Sequence, residues 1–217
     1  MMAQANLIKV LVADDHGAIR AGLVHIVQAE ADMQVLGAAE NGLEAIRLVR
    51  RFPEAEVMIL DIALPDKSGI EVLKQVRKDN PALQVLMFSM YREEQYAIRC
   101  LKAGAAGYLS KEAEPEQIVA ALRLVAGGQK YISPQLAQEL ARNLGESHAE
   151  SPHEGLSDRE YQTLTMIASG KTVSTIAKEL SLSVKTISEY RSRLLLKMKL
   201  KNSAELTHYA IKHHLVE

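Results

Sequence analysis

Five residues at or just past the ends of apolar runs carry groups that can act together. Asp14 and Asp15 follow residues 7–13 (LIKVLVA), and Asp61 follows Val57–Leu60 (VMIL). Ser89 ends MFS, and Lys111 follows GYLS. Three crowded carboxylates repel one another unless a cation sits among them. Every donor atom here is oxygen, which selects a hard cation, and Mg²⁺ is typically held by one or two carboxylates with waters and phosphate. The Lys111 ammonium suits a phosphate oxygen, and the Ser89 hydroxyl can donate to another. A carboxylate can itself be a nucleophile and form an acyl phosphate. Asp61 is the best candidate for that part, because Asp14 and Asp15 are adjacent and would be occupied with the metal. Each residue alone has an ordinary use, such as a helix cap for Asp14-Asp15 or a loop hydroxyl for Ser89. Their joint placement at strand ends outweighs those uses.

The elements that must position them alternate. Strand candidates at 7–13, 34–39, 57–60, 83–88 and 106–109 are separated by segments with helical spacing, such as Ile19, Leu23, Ile26 and Val27. Helices are expected at 18–29, 43–51, 69–78, 93–102 and 115–126, the last opened by Pro115 and closed by Gly127-Gly128. Strand–helix alternation implies a parallel sheet with helices on both faces. Five strands suit the flavodoxin-like order 2-1-3-4-5, whose switch point lies between strands 1 and 3, where Asp14, Asp15 and Asp61 stand. The fold class is therefore α/β for this part.

Composition bounds the rest. The chain has 217 residues, 47% of them hydrophobic and 24% charged, which excludes a disordered polar chain and allows one large or two ordinary domains. The net charge of −1 hides an asymmetry. Residues 1–150 carry 16 Lys+Arg against 20 Asp+Glu, or −4, and residues 151–217 carry 10 against 7, or +3. Between Lys185 and Lys201 stand six basic residues and one acid, a stripe of the kind nucleic acid recruits. The single cysteine, Cys100, excludes an intrachain disulfide and reads as a small buried apolar group. No apolar run reaches the ~18 residues of a membrane span, and residues 1–6 do not resemble a signal peptide. The expectation is a cytoplasmic protein with no membrane partner.

After residue 130 the pattern changes. Residues 133–144 (SPQLAQELARNL) read as a short amphipathic helix, and 145–155 (GESHAESPHEG) as a polar linker whose His148 and His153 are too isolated to suggest a metal site. Residues 156–213 hold four helical segments and no convincing strand. Ser157 with Glu160 forms a capping box. The second and third segments, 172–180 and 183–198, are joined by only Ser181-Leu182, as in a helix-turn-helix, with Ser181 where glycine is usual. The third segment of such a unit enters the major groove of double-stranded DNA. It carries Lys185, Ser188, Glu189, Arg191, Ser192 and Arg193.

Residues 7–127 resemble the receiver domain of two-component response regulators, through VADDH, LDIALPDKSG, MFSM and GYLSK. That resemblance implies that Asp61 is the phosphoacceptor. It implies that Asp15, Asp61 and the backbone carbonyl of Ala63 bind Mg²⁺, with Asp14 acting through water. Ser89 and Lys111 would contact the phosphoryl group, and Tyr108 would be the aromatic that responds when Ser89 moves. Residues 155–210 (GLSDRE to THYA) are similar throughout to the LuxR-type DNA-binding domain of the NarL/FixJ group. By that likeness Lys185, Arg191 and Arg193 would grip the DNA backbone, Ser188, Glu189 and Ser192 would face bases, and the helix at 203–212 would dimerise through Leu206, Tyr209 and Ala210. The domain division is a receiver at 1–130, a linker with a short helix at 131–154, and an all-α four-helix helix-turn-helix domain at 155–217.

The expected function is a response regulator transcription factor, in which a sensor histidine kinase phosphorylates Asp61 and so controls homodimerisation and sequence-specific DNA binding. The alternative is a phosphorylation-independent DNA-binding regulator with the receiver as a dimerisation scaffold. A phosphatase using Asp61 as nucleophile is a third reading; Ala63, two residues on, cannot supply its leaving-group acid. The protein is expected not to be an enzyme beyond phosphorylating itself at Asp61 and slowly losing that phosphate, since Ala63 cannot orient a water and Tyr91 is bulky enough to shield the site.

Overall fold

The computed structural model describes residues 7–138, 151–213 and 215–216. They fall into two compact units, Met1–Ala137 and Gln138–Glu217, taken in turn.

The first unit runs β1 (Ile8–Ala13), α1 (Gly17–Gln28), β2 (Met33–Ala39), α2 (Gly42–Arg51), β3 (Val57–Leu60), α3 (Gly69–Asp79), β4 (Gln84–Ser89), α4 (Glu93–Lys102), β5 (Gly107–Ser110) and α5 (Pro115–Ala126). Its five strands are parallel in the order β2-β1-β3-β4-β5. The unbroken apolar run of β3 is explained by burial: all four of its residues are sealed from solvent. Val10, Val12, Ile59, Leu86 and Phe88 meet Leu23, Val27, Ile118, Leu122 and Val125 in one core layer. Leu11, Met58, Leu60 and Met87, whose side chains alternate to the other face, are also fully buried. Each such side chain contributes roughly 1.5–3 kcal/mol relative to exposure, so the sheet is anchored on both faces at the strands that carry the site.

Register then aligns the strand ends. Ala13 stands opposite Leu60, Leu60 opposite Met87, and Ser89 opposite Ser110. The ladder continues one residue further, where the Asp61 N–H donates to the Ala13 carbonyl at 2.9 Å and the Lys111 N–H to the Ser89 carbonyl at 2.9 Å. Helix starts are fixed by side chains: Asn41 caps α2 through the Glu44 N–H, and Ser68 with Glu71 forms a capping box on α3.

A further helix, α6, begins after Ser133, whose Oγ accepts from the Leu136 N–H at 3.1 Å; residues 134–138 of it are described. The remainder of the helix expected at 133–144, and linker residues 145–150, lie outside the described residues. The end of the expected linker is structured: Pro152–Gly155 form a 3₁₀ turn capped by Ser151 and Glu154.

In the second unit follow α7 (Asp158–Ala168), α8 (Val173–Glu179), α9 (Val184–Met198) and α10 (Ser203–Lys212). Leu164, Ile176, Leu180, Ile187, Leu194, Leu206 and Ala210 are buried. The Leu182 N–H closes the turn between α8 and α9 on the Ala177 carbonyl, and Ser181 takes a left-handed φ of 52°. That φ is the one glycine usually supplies at this joint.

Candidate functional site

The strand ends bring Asp14, Asp61, Ser89 and Lys111 into one buried group. Asp14 is 0% exposed, and Asp61 and Ser89 are 1% exposed. Lys111 Nζ donates to Asp61 Oδ2 at 2.8 Å and forms an ion pair with Asp14 Oδ2 at 2.7 Å. Asp15 sits at the rim, its Oδ1 2.7 Å from His16 Nδ1, and the His16 N–H binds Asp14 Oδ1 at 2.8 Å. The Arg20 guanidinium donates to the Asp14 carbonyl at 2.7 Å. His16 and Arg20 are absent from the sequence-derived set. His16 follows the paired aspartates directly, but Arg20 reaches the site only because α1 turns back over β1.

The electrostatics follow from burial. Desolvation pushes the Asp61 carboxyl above its ordinary range, against the pull of Lys111. Burial also works to discharge Lys111, but the carboxylates of Asp61 and Asp14 outweigh it and hold the ammonium more firmly protonated than usual. One ammonium against three carboxylates leaves two negative charges over. Asp61 Oδ1 is buried and makes no hydrogen bond among the described residues. Ligand atoms of Asp14, Asp15, His16 and Asp61 lie within 4.8 Å of one another. A divalent hard cation fits both the charge and the orphaned oxygen.

Tyr108 is 1% exposed, and its hydroxyl donates to the Tyr91 carbonyl at 2.5 Å. Burial, with lesser help from neighbouring acidic groups, raises its phenol well above 10, so the hydroxyl remains a donor. The Tyr91 N–H donates to Ser89 Oγ at 3.3 Å. Ser89, Tyr91 and Tyr108 thus form a hydrogen-bonded chain from the site toward α4. The Tyr91 ring stacks on Tyr96 of α4, with centroids 4.6 Å apart. Cys100 is fully buried, as its apolar reading expects.

On α9, Lys185, Ser188, Glu189, Ser192 and Arg193 are exposed, whereas Arg191 is half-buried with its Nε on Ser203 Oγ at 2.9 Å. Ser188 Oγ donates to the Val184 carbonyl and Ser192 Oγ to the Ser188 carbonyl, each at 2.9 Å. Arg193 lies 3.6 Å from Glu189 one turn away. The dimer face expected on α10 needs correction. Leu206 and Ala210 are 0% exposed, turned inward on the side of α10 that meets α7, so they are core rather than an outer contact. Tyr209 is half-buried, and its hydroxyl meets His153 Nδ1 at 2.9 Å. The outward face of α10 carries Ala204, His208 and Ile211 instead.

Comparison with known proteins agrees with this geometry. Residues 10–123 match the family described as response regulator receiver domain, and residues 154–210 match bacterial regulatory proteins, luxR family. The chain is 36% identical over 210 residues to the response regulator UvrY of Escherichia coli K12, covering 96% of each. It is 36% identical over 212 residues to the response regulator GacA of Pseudomonas aeruginosa, covering 97% of this chain and 99% of that one. Among solved structures, RcsB of Salmonella enterica serovar Typhimurium, bound to the promoter rprA with the phosphomimetic BeF₃⁻, aligns with a TM-score of 0.64 at 26% identity, covering 94% of this chain and 98% of that one. Receiver domains typically bind Mg²⁺ at an acidic pocket, and Asp14, Asp15 and Asp61 form such a cluster here. A receiver implies a kinase partner, and a LuxR-type helix-turn-helix implies DNA binding. Among the described residues, no helix is long and apolar enough to cross a membrane.

Proposed function

We propose, from the premise that this chain belongs to the NarL/FixJ-type two-component response regulators with a LuxR-type DNA-binding domain, that phosphorylation of Asp61 switches its homodimerisation and its binding to double-stranded DNA. The observation that carries this reading is the state of the Asp61 carboxylate: one oxygen held by Lys111, the other buried and, among the described residues, without a hydrogen-bond partner of good geometry.

A histidine kinase or a small phosphodonor supplies the phosphoryl group. An Asp61 oxygen attacks phosphorus, the bond from phosphorus to the donor atom breaks, and its electron pair leaves with the donor. Asp15, Asp61 and the Ala63 carbonyl would hold Mg²⁺, with Asp14 acting through water. That ion supplies charge neutralisation for the carboxylates and the phosphoryl oxygens. Lys111 then faces a phosphoryl oxygen, and the Ser89 hydroxyl donates to another. Ser89 also accepts from the Tyr91 N–H, and Tyr91 accepts from Tyr108, so a shift of Ser89 would be felt at Tyr91, whose ring stacks on Tyr96 of α4. On DNA, Lys185 and Arg193 would hold phosphates, Arg191 would add its remaining N–H groups, and Ser188, Glu189 and Ser192 would meet base edges.

Loss of the phosphate is slow in this reading. Ala63 offers no side chain to orient water, and Tyr91, whose ring stacks on Tyr96, offers no carboxylate or amide to hold one. A half-life under a minute in Mg²⁺ buffer overturns this, as does an unchanged rate in an Ala63→Asn, Tyr91→Glu variant. The main test is phosphate incorporation with operator binding. Wild type takes up label at Asp61 and binds its operator more tightly. Equal operator affinity of wild type and Asp61→Ala under phosphorylating conditions refutes phosphorylation as the switch and favours the receiver as a plain scaffold.

A further inference from the structure

We infer that Asp66 is a positioning residue for the metal site. Its carboxylate ties the start of α2 to the loop between β3 and α3, and so holds the Ala63 carbonyl in place. This rests on the Mg²⁺ reading above.

The loop is clamped at its base and at its tip. At the base the Gly69 N–H donates to the Ile62 carbonyl at 2.8 Å, and the approach is so close that a Cβ on Gly69 would lie 1.9 Å from the Asp61 carbonyl oxygen. Ile62 and Leu64 point into the core, 1% and 0% exposed, on either side of Ala63. At the tip Asp66 Oδ1 accepts from the Gly42 N–H at 2.7 Å and the Lys67 N–H at 2.8 Å, and Oδ2 accepts from the Leu43 N–H at 2.8 Å. Burial works to raise this carboxyl, but the donors from Gly42, Leu43 and Lys67 outweigh it and keep it ionised.

The bond to α2 is specific. Asn41 already serves the Glu44 N–H, so Gly42 and Leu43 hold the remaining donors of the first turn, and Asp66 takes both. A side chain at residue 42 would break the contact, since a Cβ there would stand 2.8 Å from Val72 Cγ2 and 2.9 Å from Lys67 Cβ. Residues 62–66 therefore have little freedom, and the half-buried Ala63 lies between the fixed points. A main-chain ligand has no rotamer of its own, so its aim depends on the anchoring of its loop. Partners that orient metal ligands in this way typically change affinity about 10–100-fold when removed.

The plain alternative is that Asp66 only caps α2. Mg²⁺ titration of the full chain by calorimetry, beside urea melts without Mg²⁺, separates the two. Asp66→Ala is expected to weaken Mg²⁺ binding about tenfold, with phosphorylation by a small phosphodonor slowed at low Mg²⁺ and restored at saturating Mg²⁺. Asp66→Asn, which keeps one acceptor oxygen, falls between the two and carries the test should the alanine variant not fold. Gly42→Ala loosens the same clamp from the other side and reproduces the Mg²⁺ loss. Arg123→Ala, which removes the remote pairs to Glu30 and Asp32, controls for stability and leaves Mg²⁺ affinity unchanged. Wild-type affinity in Asp66→Ala, or equal loss in Arg123→Ala, overturns the inference. Failure of the wild type to bind Mg²⁺ overturns the metal reading itself, and this inference with it.

Discussion

The site around Asp61 and the exposed face of α9 are organised in opposite ways. At the site, side chains from β1, β3, β4 and β5 are buried and bonded to one another across long sequence separations, as Lys111 is to Asp61. On α9 the side chains are exposed and bonded to their own helix, as Ser188 is to Val184 and Arg193 to Glu189. The first arrangement is fixed before any ligand arrives. The second leaves its hydroxyls and charges free to exchange local partners for new ones. Changes at the first should therefore act through stability and metal binding together, and changes at the second through DNA alone.

The largest expected effect tests the buried side. Lys111→Met leaves the Asp14 and Asp61 carboxylates without their counter-charge and should cost about 3–5 kcal/mol of stability, read by urea denaturation. Added Mg²⁺ should return part of that loss. A melt indistinguishable from wild type would mean that the two regions do not differ as described.

A smaller effect tests the exposed side. Lys185→Ala and Arg193→Ala should each lower the slope of log affinity against log salt by about 0.9, measured by operator titration over a salt series. Their melts should stay within about 0.5 kcal/mol of wild type. A change in phosphate incorporation at Asp61 in either variant would break the separation.

A further contrast lies within the second unit, in the buried Glu160. Burial works to raise its carboxyl, but Lys197 and Ser157 outweigh that and hold it below 4.5. A depressed carboxyl contributes stability that is present above the unfolded value and is lost as pH falls through the folded one. Glu160→Gln should therefore be less stable than wild type near neutrality, with the gap closing as pH drops below 4.5, followed by urea melts across pH.

What could be read from sequence divides along the same line. Asp61, Ser89 and Lys111 were legible because a buried parallel strand is an unbroken apolar run, and the residue that ends it stands out. Their convergence followed from strand order, which alternation implied. Residue placement on α10 was less legible. Helical periodicity groups Leu206 with Ala210 on one stripe, but it does not say whether that stripe meets the protein's own core or a second molecule. Burial shows that it meets the core. His153 looked isolated, since Tyr209 lies 56 residues away and only folding joins them. Asp66 gave no signal beyond its turn chemistry, because its partners are main-chain N–H groups that carry no residue identity.

The turn at Ser181 bears on how such a protein drifts over generations. A serine at a φ of 52° costs roughly 1 kcal/mol that glycine avoids, while glycine's looser unfolded chain costs a similar amount. The two nearly cancel. The joint that aims the reading helix can therefore exchange serine and glycine at little thermodynamic cost, and a lineage can alter the letters of this turn without re-aiming the helix or losing its operator.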